Sequence, residues 1–136
     1  MSYNLLRLPF LALALCTILF SSCKKDDDTL ESFEGEWTTS SMIVDGQEMM
    51  GTAMESMIID FGDFNGTEGI VTVTTTEMGE DPEVESGYYT KTEADDSISM
   101  TFDGETTVFD YDMNGNTITL TGVTNNVRGY VIVMRK

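Results

Sequence analysis

The chain contains no histidine, two cysteines, two prolines and a single tryptophan. Each scarcity removes a class of chemistry. Without imidazole, neither a Ser-His-Asp triad nor a histidine-ligated metal centre can be assembled. Cys16 falls inside an apolar N-terminal run, so Cys23 is the one thiol beyond it. An internal disulfide, a thiol nucleophile and a thiolate metal site within a folded domain are therefore excluded. Basic side chains are scarce too: 7 Lys and Arg stand against 24 Asp and Glu, a formal net charge of −17. A surface of that sign repels phosphate backbones and anionic headgroups. It argues against nucleic acid as a partner and against membrane attachment through a basic patch.

What is present begins at the N-terminus. Arg7 is the only charged side chain before Lys24, and residues 8–20 ("LPFLALALCTILF") are apolar or nearly so. A membrane-spanning helix needs about 20 such residues, so the run is short for an anchor. With Ser21-Ser22 after it, it reads as a cleaved secretory signal. The stretch "FSSC", residues 20–23, resembles the lipobox of bacterial lipoproteins, in which the cysteine becomes the first residue of the mature chain. That resemblance implies that Cys23 carries a diacylglyceryl group on its thiol and a further acyl chain, such as palmitate, on its amine. Each buried methylene contributes about 0.8 kcal/mol, and several chains hold firmly where one does not. The following "KKDDD" resembles the acidic export signal of Bacteroidetes surface lipoproteins, which implies a lipid-anchored protein of the outer membrane facing outward. Read by charge alone, the same residues form a solvated tether. The expected organisation is a signal peptide over 1–22, an acylated acidic tether over 23–33 and one domain over 34–136.

That domain reads as β throughout, rich in Thr, Val, Ile, Tyr and Phe and punctuated by turn signals. Candidate strands span 37–44, 57–61, 69–76, 87–92, 97–102, 106–113, 117–121 and 130–134. In "SISMTF", Ile98, Met100 and Phe102 alternate with polar residues. Asp103-Gly104 and Asn114-Gly115-Asn116 mark hairpins, and an acidic loop crosses 77–85. Hairpin-linked alternating strands form antiparallel meanders, and eight of them can close into a barrel without free edges. The segment 47–56 ("QEMMGTAMES") breaks the pattern. Met50, Met54 and Met57 have helical spacing, predicting a helical turn or two that Gly51 weakens.

Four stretches resemble the lipocalins and the small lipocalin-like domains of Bacteroidetes lipoproteins. "GEW", holding Gly35 and Trp37, is similar to their Gly-x-Trp motif, and the closing "GYVIVMRK" to their last strand. "FGDFNGTEG" and "FDYDMNGNTITLTG" are similar to inner segments, although Phe109-Asp110-Tyr111 keeps two letters of the Thr-Asp-Tyr motif. The resemblance implies an all-β fold: a single antiparallel eight-stranded up-and-down β-barrel after a cleaved lipoprotein signal peptide. It further implies that Trp37 plugs the barrel floor and that Arg135 stacks on it as a cation–π partner. In such barrels the loop after the first strand lies across the open mouth. Here that loop carries Met49, Met50 and Met54, either a lid over a greasy ligand or, the simpler reading, a plug that completes the core.

Other motifs carry less. Asp63-x-Asn65-Gly66 echoes a calcium loop, yet the first and twelfth positions would be Phe61 and Thr72, which supply no carboxylate, so it reads as a β-turn. The acids of 77–85 read as a solvated loop, and no carboxylate pair stands out for glycoside hydrolysis. Asp28-Thr29-Leu30 and Asp96-Ser97-Ile98 resemble the Bacteroidetes O-glycosylation sequon. No metal and no cofactor is expected. The leading expectation is a membrane-anchored, non-catalytic protein that binds a small apolar or amphipathic ligand. The alternatives are an accessory lipoprotein with a filled barrel, which meets a protein partner through its outer face, and an enzyme built on carboxylates alone.

Overall fold

The computed structural model describes residues 33–136. The signal sequence, Cys23, the export-like acids and the sequon at Asp28 lie outside the described residues.

Strand formation follows the period-2 pattern closely. The strands are β1 (Gly35–Val44), β2 (Gln47–Glu48), β3 (Met54–Phe61), β4 (Gly69–Glu77), β5 (Glu83–Thr92), β6 (Ser97–Phe102), β7 (Glu105–Asn114), β8 (Thr117–Gly122) and β9 (Tyr130–Arg135). Along β6 the residues Ile98 and Met100 are buried, and along β8 the same holds for Ile118 and Leu120, while their Ser and Thr neighbours reach the outside. Every neighbouring pair is antiparallel, and β1 returns to pair with β9. Eight long strands thus close into an up-and-down barrel, and the two-residue β2 extends the end of β1.

Closure requires β1 to serve two neighbours. Its first residues pair with β3, from Gly35↔Phe61 to Thr38↔Ile58, and its later ones with β9, from Thr38↔Arg135 to Val44↔Tyr130. The register shifts between Thr39 and Ser41. Such a bulge bends the strand, the distortion a small barrel needs where a strand turns the corner. The Ser40 hydroxyl fills the irregularity by donating to the Val133 carbonyl at 3.1 Å.

The turns have the chemistry their geometry demands. Asp45-Gly46 and Asp103-Gly104 each place both residues at positive φ, the type I′ arrangement whose twist matches the flanking strands. Asn65 caps its own turn, its side-chain oxygen accepting from the amides of Thr67 and Glu68, both at 2.9 Å. That supports the β-turn reading of the calcium-like sequence.

Two expectations need correction. The segment 47–56 is not helical. It forms β2, one tight turn and the start of β3, with the Met49 carbonyl accepting from the amides of Thr52, Ala53 and Met54. Gly51, at φ +76, leaves the right-handed helical region, so the turn cannot propagate. The acidic loop is also shorter than expected, because β5 already begins at Glu83.

Candidate functional site

The strands run between two unlike ends, and the closed end is built from rings. Phe33 is fully buried and meets Phe61 and Tyr111 edge to face, at centroid separations of 5.8 and 4.8 Å. Phe61 meets Tyr89 in the same way at 5.1 Å. Phe33 thus belongs to the floor, although the sequence places it at the end of the tether. Polar edges are satisfied: Trp37 Nε1 donates to the Phe33 carbonyl, and the Tyr89 hydroxyl to that of Gly62, both at 2.8 Å. Gly69 makes room for this packing, since a Cβ there would stand 2.3 Å from the Tyr89 ring. Burial pushes the Tyr89 phenol up to about 12, with help from the nearby charges of Glu34 and Asp63.

Trp37 is buried in this floor, at 1% exposure. Its cation is a different one. Lys136 Nζ lies 5.0 Å from the Trp37 ring centroid and donates to the Glu34 carbonyl; both it and Arg135 are exposed, but it is Lys136 that lies over the ring. Alternation explains the exchange: Met134 faces the core, so Arg135 faces out and Lys136 turns back over the floor. Gly35 is left-handed at φ +102, and a Cβ there would press on the Lys136 chain at 3.3 Å. The Gly-x-Trp glycine therefore admits the lysine.

The other half of the barrel opens to solvent around unfilled space. A cavity of about 260 Å³ lies inside it, lined on β1 and β3 by Met42, Met54, Met57 and Ile59, and on β6 and β7 by Met100, Phe102 and Phe109. Val127, Tyr130 and Ile132 complete the apolar wall. The polar contributions are Thr75, Thr107 and Glu85, and no lysine or arginine lines it. Of the three expected lid methionines, Met54 lines the cavity, Met50 packs against the core and Met49 is half-buried. Sequence reasoning did not single out Met42; it placed Met57 on a helical face rather than on this wall, and the alternation of "SISMTF" already pointed Met100 inward.

The Met-rich segment is held by one carboxylate. Glu48 accepts from the Ser41 hydroxyl at 2.5 Å and from the amides of Met42 and Met50 at 2.8 and 3.1 Å. These bonds, that from Ser41 first, hold its carboxyl below the ordinary value. Below the cavity, between Trp37 and Met42 along β1, Thr39 is 95% buried, and its hydroxyl has no hydrogen-bond partner in the protein.

The cavity continues outward into acid. A cleft of about 440 Å³ is lined by Val73, Thr75, Glu83, Val84, Glu85 and Asp103, and so shares Val73, Thr75 and Glu85 with the interior. Beyond it, Glu77, Glu80, Asp81 and Pro82 join Thr75 and Glu83 around a further space of about 350 Å³. Pairing along β4 and β5 fixes the direction of these groups. Tyr89 is in the core, so Gly87, Glu85 and Glu83 share the inner face with it. Sequence reasoning missed both glutamates, and the signal was the alternation counted back from Tyr89. Among the described residues, no three acids converge as a metal site.

No protein-family model matches the chain, and no curated protein is similar to it in sequence. Solved structures are similar in fold. A redesigned β-barrel superposes with a TM-score of 0.58 at 14% identity, over 78% of this chain and 92% of its own. A de novo designed fluorescence-activating β-barrel gives 0.55 at 13%, over 78% and 94%. A mutant of the fluorescent protein UnaG gives 0.53 at 12%, over 79% and 98%. At such identities the likeness concerns the fold alone, and the chain shares with these structures a small closed antiparallel β-barrel.

Proposed function

We propose that this protein is a non-catalytic binder of a small apolar or amphipathic molecule, seated in the open half of its barrel. The observation that carries this reading is the 260 Å³ cavity walled by methionine and aromatic side chains. An engineered apolar cavity of about 150 Å³ holds benzene, so by proportion this one has room for about ten heavy atoms. Methionine suits such a wall, being flexible and polarizable. A carboxylate enzyme would need two acids enclosed together, and Glu85 is the one acid lining the cavity. We further propose, on the "FSSCKKDDD" sequence, that Cys23 is acylated and that the barrel stands on the outer membrane, facing outward.

Native mass spectrometry of protein gently purified from a close relative of its host tests the first part. A discrete extra mass, lost on denaturation, is the expected result and identifies the cargo. A clean unliganded mass, unchanged by a panel of hydrophobic metabolites, would overturn the reading. Attention would then move to the outer face, where Ile70 and Tyr88 pair across strands at 58% and 55% exposure. For the anchor, radiolabelled palmitate should label the wild-type chain in cells and fail to label Cys23→Ser.

A further inference from the structure

The charge around the cavity says more about its occupant than its apolar wall does. Five acids, Glu77, Glu80, Asp81, Glu83 and Asp103, line the two clefts outside the cavity, and Glu85 stands at the junction with it. No lysine or arginine lines any of the three spaces. Of the four bases among the described residues, Lys91 lies over the rings of Phe33 and Tyr111 on the floor, at 5.3 and 5.2 Å, and Lys136 lies over Trp37. Arg135 is exposed beside it, and Arg128, between the lining residues Val127 and Tyr130, does not itself line the cavity. The alternation of β5 runs this gradient along one inner face, from Glu83 and Glu85 at the mouth to Lys91 at the floor.

We infer that the cargo is a cationic amphiphile, with its apolar part in the methionine-lined cavity and its positive head against Glu83, Glu85 and Asp103. The inference rests on the small-molecule reading above and adds the sign of the ligand. Apolar burial alone would accept an alcohol, an amine or a carboxylate with the same chain. The acids separate them. An ammonium head beside two or three carboxylates gains Coulomb energy, and a carboxylate head there meets like charges with no base to pair with. Because the clefts are open to water, the attraction is screened within about 8 Å at physiological salt, which makes it measurable through ionic strength. The same rim concentrates cations near the mouth and speeds their capture.

The probes are octylammonium, octanol and octanoate, titrated calorimetrically into the full chain below their aggregation limits. They share one chain, near the capacity of the cavity. Octylammonium should bind about tenfold more tightly than octanol at low salt, with octanoate weaker than both. Raising the salt to about 0.5 M should shrink the octylammonium advantage severalfold. The double substitution Glu83→Gln, Glu85→Gln should collapse the ratio of the octylammonium and octanol affinities toward one. Should that variant fail to fold, the salt dependence of the wild type carries the test. Octanoate binding as tightly as octylammonium, or an affinity ratio indifferent to salt, would overturn the sign assigned to the ligand and leave the cavity reading standing. Absence of heat from all three would overturn the cavity reading itself, and this inference with it.

Discussion

The floor and the mouth of this barrel are made of different materials. At the floor, Phe33, Phe61, Tyr89 and Tyr111 meet edge to face, the polar edges of Trp37 and Tyr89 are bonded, and a lysine covers the tryptophan. At the mouth, Met42, Met54, Met57 and Met100 surround open space, and carboxylates take over outside it. Aromatic rings have few rotamers and fixed packing directions, so they specify one structure. Methionines have three rotatable bonds and repack around whatever enters. One end holds the barrel shut; the other is built to be filled.

That contrast is open to direct attack. Trp37→Ala should cost about 3–5 kcal/mol in urea unfolding, since it empties a fully packed site and orphans the Phe33 carbonyl. Met54→Ala, beside existing space, should cost only about 1 kcal/mol. Equal losses would erase the distinction between the ends.

Thr39 lies between the two regimes. Thr39→Val removes a buried hydroxyl without a partner and should stabilise the barrel by about 1 kcal/mol. A loss of stability would mean that the hydroxyl is bonded in solution.

Titration separates the ends as well. The Tyr89 phenol is pushed up to about 12, above its ordinary 10.0. Its contribution to stability is therefore full below pH 10 and is lost as pH rises through about 12. Ultraviolet titration should show one tyrosine ionising later than the rest, and Tyr89→Phe should remove that late step. Glu48 has the opposite sign, its carboxyl held below 4.5 in the fold. Its contribution is present above that value and fades as pH falls through the lowered one. Acid should therefore loosen the Met49–Met54 turn before the floor responds, visible as faster amide exchange there. This is the smallest of the expected effects.

Much of the barrel was legible because the code is local. Ile98 and Met100 alternate with serines, Asp103-Gly104 can hardly be anything but a hairpin turn, and Trp37 follows a glycine at the start of a strand. The errors have physical causes. Met50, Met54 and Met57 have helical spacing, but Gly51 adopts a left-handed conformation and strand pairing with β4 takes the rest. Arg135 rested on resemblance alone, where counting on from the inward-facing Met134 points to Lys136 instead. Glu83 and Glu85 follow Pro82 and have low strand propensity, so they read as loop until pairing with Thr75 and Val73 draws them into the sheet. Cavity volume depends on the sum of many side chains across the barrel, and no single stretch encodes it.

The most direct test labels the methionine methyl groups with carbon-13 and follows them by NMR as octanol or octylammonium is added to the full chain. Assignment by single Met→Leu variants identifies each signal. Binding in the open half should shift Met54, Met57 and Met100, which line the cavity, and leave Met134, fully buried near the floor, in place. Shifts confined to methionines outside the cavity, or none at concentrations that saturate the calorimetric signal, would contradict the account.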